Sequence, residues 1–204
     1  DTRKNNTWTI IRDEQHPLIF NELLQSHFES TEKIKTDDLE LLLEDDGQAM
    51  FFLQYTNYED HSLDFMPELL RDPHTVIGLA DGGAHYGMIS DATYPTFLLS
   101  YWTRDRAGER LGLSEAIRML TSAPAATARL GDRGRLAPGY KADINVIDLD
   151  RLSLTMPRAV NDLPAGATRL LQDAVGYDAT IVNGVITRRD GADTGARPGR
   201  LASR

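Results

Sequence analysis

Apolar residues come in short runs divided by polar, glycine- and proline-marked breaks. Residues 7–12, TWTIIR, read as a strand. Residues 17–29 place Leu18, Ile19, Phe20, Leu23, Leu24 and Phe28 at helical spacing. After the polar break STEKIKT, Asp37 or Asp38 caps a helix through LELLLEDD that Gly47 closes. The acidic cluster Glu44-Asp45-Asp46 at its end reads as a solvated face. Residues 50–55, MFFLQY, are a buried strand, followed by a polar loop over residues 57–61. Residues 66–70 form a short helix, broken by Pro73. A second apolar run, Val76 to Ala80, reads as a buried strand that ends on Asp81, with Gly82, Gly83 and His85 behind it. Strand, helix, strand, helix, strand, with polar loops after the strands, is the α/β pattern with parallel strands.

Helices dominate the next stretch. Residues 94–102 form an apolar helix whose stripe Phe97, Leu98, Tyr101 and Trp102 faces a core. Asp91 and Thr93 just before it read as capping residues. The polar linker TRDRAGERLG leads to a helix capped by Ser114, and Ser122-Ala123-Pro124 opens another that ends at Gly131. The texture changes after a turn at Pro138-Gly139. Residues 142–147 alternate as a strand, residues 151–177 are irregular, and Asn183-Gly184 between two β-rich runs signals a hairpin with a type I′ turn. The tail from Gly191 is extended or frayed.

Composition narrows the function. The chain has 204 residues, 41% of them hydrophobic, enough for an ordinary domain with a core. A net charge of −9 argues against a nucleic-acid surface, which needs a basic patch. No apolar run reaches the roughly 20 residues of a membrane span. Cysteine is absent, which removes thiolate ligands, thiol nucleophiles and disulfides. A cytoplasmic location is expected. The polar first residues without an initiator Met, entering a strand almost at once, read as the middle of a longer protein.

An apolar strand that delivers a carboxylate into a glycine-rich loop is how α/β enzymes present a catalytic group. Asp81 is therefore the first candidate, although Asp-Gly-Gly alone is also a common turn. His85, four residues on, could meet a substrate carboxylate or steady Asp81, or simply be a loop residue. Tyr55 and Asn57, at and past the end of the run 50–55, could line a substrate pocket.

Three stretches carry a family resemblance: GLADGGAH with the later SDATYP, LTSAPAATARLGDRGRLAPGYKADINVID, and DLPAGATRLLQDAVGYDATIVNG. Together they resemble the C-terminal part of an amidohydrolase-superfamily enzyme in the N-acyl-D-amino-acid deacylase (D-aminoacylase) branch. The likeness covers residues 39–200 well and residues 1–38 loosely. It implies the C-terminal part of a (β/α)8 TIM-type barrel over residues 1–135, with the rest of the barrel upstream. It implies strands of a small β-sandwich over residues 136–204. Residues 50–55 resemble the seventh barrel strand and residues 76–81 the eighth. The Asp132-Arg133-Gly134 turn is structural.

The resemblance also implies chemistry. The family hydrolyses an amide with the help of one or two metal ions, usually zinc. Asp81 matches the residue that touches the metal and shuttles the proton, and the substrate is a small N-acyl amino acid or related amide. His16, His27, His61, His74 and His85 form no H-x-H pair, so the remaining ligands are expected upstream and residues 1–204 alone are expected to be inactive. Where many relatives carry Ser or Thr before the Asp, this chain has Ala80. A dihydropyrimidinase- or dihydroorotase-like cyclic amidase and a non-catalytic module stay open as alternatives. The oligomeric state, a homo-oligomer included, stays open too.

Overall fold

The computed structural model describes residues 7–11, 50–54, 62–78, 83–87 and 89–202. They fall in two compact units, residues 1–66 and 67–204. In the first, strand β1 (Thr7–Ile11) pairs antiparallel with β2 (Met50–Gln54), with Thr9 opposite Phe52. Both runs are strands as their residues predict, but the pairing is not parallel. An apolar run states that a strand is buried and does not state the direction of its neighbour. The helices expected over residues 17–29 and 38–46 lie outside the described residues.

Helix α1 (Met66–Arg71) opens the run into the second unit. Its Arg71 reaches Glu109, the carboxylate of Glu115 at 3.1 Å and the carbonyl of Arg110 at 3.2 Å. Residues 75–78, expected as the start of a barrel strand, carry no strand. The N–H of Thr75 instead donates to the Asp72 carbonyl at 3.0 Å, and Val76 is 41% exposed. A strand exists only where a neighbour supplies ladder partners, and none of the described residues pairs with this run.

A 3-10 turn (Asp91–Thr93) leads into α2 (Tyr94–Ser100). Thr93 makes no capping bond; its hydroxyl donates to Gln172 Oε1 at 2.5 Å. The helix continues as a π-turn (Tyr101–Asp105), closed by the Arg106 N–H on the Tyr101 carbonyl at 2.9 Å. Leu98, Leu99 and Trp102 are buried, and Phe97 stacks on Tyr101 at 4.8 Å. The stripe seen in the sequence is therefore core. The expected polar linker is not all solvent: Arg106 is buried, its guanidinium 4.7 Å from the centre of the Trp102 ring, and Leu111 near the linker's end is buried too. An aromatic face offers a buried guanidinium a favourable electrostatic contact.

Helix α3 (Leu113–Leu120) starts after Gly112 rather than at Ser114, because Glu115 reaches back to accept the Gly112 N–H at 3.3 Å. Its Ala116 and Met119 are buried. Helix α4 (Ser122–Thr127) ends before Gly131 in a Schellman motif. Leu130 N–H donates to the Ala125 carbonyl at 2.8 Å and Arg129 N–H to the Ala126 carbonyl at 3.0 Å. The left-handed residue is Arg129, at φ +57°. Arg129→Gly should therefore raise stability by about 0.5–1 kcal/mol, since glycine adopts this conformation without the Cβ penalty. A higher urea midpoint at unchanged slope is the expected result; an unchanged or lower midpoint would contradict it.

The remaining strands are short. β3 (Ile144–Ile147), β8 (Tyr177–Val182), β9 (Val185–Arg189) and β10 (Ala192–Asp193) form one antiparallel sheet in the order β10-β9-β8-β3. β4 (Ser153–Leu154) pairs with β7 (Ala174–Val175), and β5 (Arg158–Val160) with β6 (Arg169–Leu171). Residues 151–177 are thus two small ribbons rather than irregular chain, strands too short for their periodicity to show in sequence. The Asn183-Gly184 turn is as predicted, with φ +50° and +80° between the paired Val182 and Val185.

A second tight turn at Asp190-Gly191 orders the start of the expected frayed tail and returns the chain as β10. Asp193 then accepts two bonds from Arg197, at 2.9 and 2.7 Å, and one from the Gly195 N–H at 2.8 Å. The Arg197 contacts first, and then the Gly195 N–H, hold its carboxyl down to about 2. The folded value lies below the ~3.9 of an unfolded Asp. This tail contact is thus fully present above about 4 and lost as pH falls through about 2. An NMR titration should find the Asp193 midpoint near 2, and Arg197→Ala should move it up toward ~3.9. A wild-type midpoint already near ~3.9 would refute the pairing.

Helices and strands meet through side chains. The hydroxyls of Thr96 on α2 and Tyr177 on β8 lie 2.8 Å apart. Arg104 on the π-turn pairs with Asp105 and donates to the carbonyls of Leu149, Asp150 and Leu152. That fork fastens the turn between β3 and β4, where Leu152 is fully buried. The Asp132-Arg133-Gly134 turn does the same for α4 and β3. The Asp132 carbonyl accepts the Lys141 N–H at 2.7 Å, and Arg133 lies 3.6 Å from Asp143.

Candidate active site

Of the residues singled out from the sequence, Asp81, Tyr55 and Asn57 lie outside the described residues, as do His16, His27 and His61. His74 and His85 are described. His74 is exposed, its N–H donating at 2.7 Å to the Asp72 carboxylate in a local turn. His85 stands on the loop 83–87 that follows Asp81 in the chain. It is exposed, at φ +48°, and its carbonyl accepts the Ile89 N–H at 3.1 Å.

Gly83 begins this loop at φ +112°, a conformation that side-chain-bearing residues rarely adopt. The glycine leaves room above itself: a Cβ there would sit 3.9 Å from the Tyr86 hydroxyl. Tyr86 is half exposed, and its carbonyl accepts the Leu170 N–H from β6 at 2.7 Å. The loop that presents His85 therefore rests on the β5–β6 ribbon.

That ribbon carries a charged pair. Arg169 donates from Nε and Nη2 to the two carboxylate oxygens of Asp162, at 2.6 and 2.7 Å. The bidentate contact lowers the Asp162 carboxyl and raises Arg169, to which the Tyr86 phenol adds a smaller effect. Both groups are charged at neutral pH. Thr168 donates to Asn161 at 2.6 Å across the same loop, and Leu163–Gly166 turns through Pro164 with Ala165 at φ +61°.

The sequence points to Asp81 and His85 and gives no sign of the contacts that Tyr86, Leu170 and Arg169 make. The adjacent Tyr86 is in plain view in GGAHYG, but no local pattern relates position 86 to position 170. Only the fold makes that contact. Among the described residues, no group of three or more His, Asp or Glu side chains could hold a metal ion. The depressed carboxylates at Asp105, Asp132, Asp148 and Asp162 each have an arginine neighbour as their largest cause. They are structural ion pairs, not a catalytic cluster. No described helix is long and apolar enough to cross a membrane.

An N-acyl-D-glutamate deacylase from Alcaligenes xylosoxydans xylosoxydans is 36% identical over 99 residues. The match covers 48% of this chain and 18% of that relative, so the chain spans only a small part of the curated protein's length. No solved structure matches the chain. The likeness agrees with the D-aminoacylase branch that the motifs resemble. The model of the Amidohydrolase family matches residues 40–188. The Asp81 stretch, the loop on β6, the Asp132–Gly134 turn and the Asn183-Gly184 hairpin all fall inside that span, and this chain belongs to the amidohydrolase family.

Proposed function

We propose that this chain is the C-terminal portion of a metal-dependent hydrolase that cleaves the amide of N-acyl-D-amino acids. Asp81 acts as its proton-transfer group. The observation that carries the reading is the family match over residues 40–188, with the GLADGGAH stretch inside it. The named relative makes N-acyl-D-glutamate the first substrate to try. Asp81 would take a proton from the attacking water and return it to the leaving amine, so a single carboxylate serves both halves of the reaction. His85, Tyr55 and Asn57 would contact the substrate.

Family members generally bind metals. A bound zinc ion makes water acidic enough to ionise near neutral pH. A catalytic zinc takes about three protein ligands. The five histidines of the sequence form no H-x-H pair, and the reading places the ligands other than Asp81 in the part of the barrel upstream. Residues 1–204 alone should then bind zinc weakly and lack turnover.

The test is a substrate panel on the full-length protein, loaded with zinc: N-acyl-D-glutamate, other N-acyl-D-amino acids, their L-enantiomers, and cyclic amides. Hydrolysis of a D-substrate, lost on chelation and recovered with metal, is the expected result. Ring opening of the cyclic amides would move the chemistry to the cyclic-amidase reading. No turnover of any amide by the metal-loaded protein would leave a non-catalytic module.

A further inference from the structure

We propose that Arg169 is a positioning residue for the reaction: with Asp162 it fixes the β5–β6 ribbon, and that ribbon holds in place the loop that follows Asp81. The proposal rests on the reading of Asp81 as the proton-transfer group.

Three observations converge on it. The first is the edge of β6. Leu170 stands opposite Ala159 of β5, yet its N–H points away from that partner, to the Tyr86 carbonyl at 2.7 Å. An isolated ribbon would leave this donor facing water. Here the loop 83–87 covers it and is anchored in return. The second is the closure of the ribbon. The loop between β5 and β6 is held across its base by the bidentate Asp162–Arg169 pair, at 2.6 and 2.7 Å, and by Thr168 on Asn161. Bidentate geometry fixes direction as well as distance. The third is the place of the loop in the chain. Gly83 is two residues after Asp81, and the Tyr86 hydroxyl lies over it. His85, between them, takes its strained φ of +48° from the same turn.

Arg169 has both oxygens of Asp162 as partners, so its role is not to seize a substrate carboxylate. It steadies the loop 83–87, which carries His85 and follows Asp81 in the chain. Catalysis is sensitive to such support: a misplacement of about 1 Å can cost 10²-fold in rate. A defect here should appear in turnover more than in substrate affinity.

The experiment uses the full-length, metal-loaded protein with N-acyl-D-glutamate and compares Arg169→Gln, Asp162→Asn and Arg158→Gln. Arg158 supplies the control. It sits on the same ribbon, and its guanidinium pairs at 3.1 Å with Asp173, not with Asp162. Arg169→Gln and Asp162→Asn should each lower kcat on the order of tenfold. KM should change less than about twofold and Tm should hold, and Arg158→Gln should match wild type. Arg169→Lys should recover little, because an ammonium cannot reproduce the two-pronged contact. If Arg169→Gln does not fold, Asp162→Asn carries the same comparison. Wild-type kcat in either folded variant overturns the proposal, as does a freely exchanging Leu170 amide in the wild-type protein. The two readings fail separately. An active Asp81→Asn enzyme sinks the role of Asp81, whereas an inactive Asp81→Asn beside a fully active Arg169→Gln sinks only this inference.

Discussion

Asp81→Asn in the full-length protein is expected to lower kcat by about 10²–10⁴-fold, the range that a positioned acid–base group supplies. Asn has the size and shape of Asp and can still accept a hydrogen bond through its carbonyl oxygen. It cannot take up a proton from water, and it has none to return to a leaving amine. Ground-state binding of the substrate should survive, so KM should move far less than kcat. The melting temperature should stay close to that of the wild type, since the substitution changes charge and not volume. Because the same carboxylate is also expected to touch the metal, the variant's metal content must be measured beside its rate. Full metal occupancy with lost turnover assigns the loss to proton transfer. Depleted metal assigns it to ligation. Turnover within about twofold of wild type would remove Asp81 from the reaction altogether.

Gly176→Ala should destabilise the protein by about 3–4 kcal/mol. Gly176 lies between β7 and β8 at φ +97°. A Cβ there would meet backbone on every near side: Leu152 Cα at 2.7 Å, Leu152 N at 2.8 Å and the Asp148 carbonyl oxygen at 3.0 Å. None of these can rotate away as a side-chain tip could. The Gly176 carbonyl also accepts the Asp148 N–H at 2.9 Å, and Arg104 grips the carbonyls of the same turn. The segment therefore cannot retreat without breaking those bonds. Overpacking against rigid neighbours costs about 1–3 kcal/mol, and the left-handed backbone adds about 1–2. For a chain of this size the loss corresponds to a fall in Tm on the order of 10 °C. The same substitution at Gly139 separates the two contributions, since it has φ +88° and open space around it. Gly139→Ala should cost only the backbone part, about 1–2 kcal/mol. Equal losses at both glycines would show that the close approach to Leu152 has no energetic weight.

The family and several local structures were legible in the residues alone. Asn183-Gly184 makes its hairpin turn because two adjacent residues tolerate positive φ there and the turn's twist matches the strands it joins. Pro138-Gly139 turns for a similar reason, closed by the Tyr140 N–H on the Ala137 carbonyl at 3.1 Å. Helix α1, the strands β1 and β2, and the buried stripe of α2 follow from short-range spacing. These features need only a few neighbouring residues to determine them, so a linear reading can reach them.

Contacts between distant residues lie beyond that reach. Val76 and Ile77 have the composition of a buried strand, yet residues 75–78 carry none, because a ladder requires a partner that hydrophobicity does not name. Arg129, not Gly131, takes the left-handed position after α4, because the Leu130 and Arg129 N–H groups close onto the last turn. Arg106 is charged and would read as surface, yet an aromatic ring and local oxygens take it inside. The loop after Asp81 shows the same limit at the candidate site. Its glycines and histidine are visible in the chain, but its anchor is an N–H on Leu170, a donor that every residue but proline possesses. No side-chain pattern can reveal which of those donors faces the Tyr86 carbonyl; only the packing of β6 against the loop decides it.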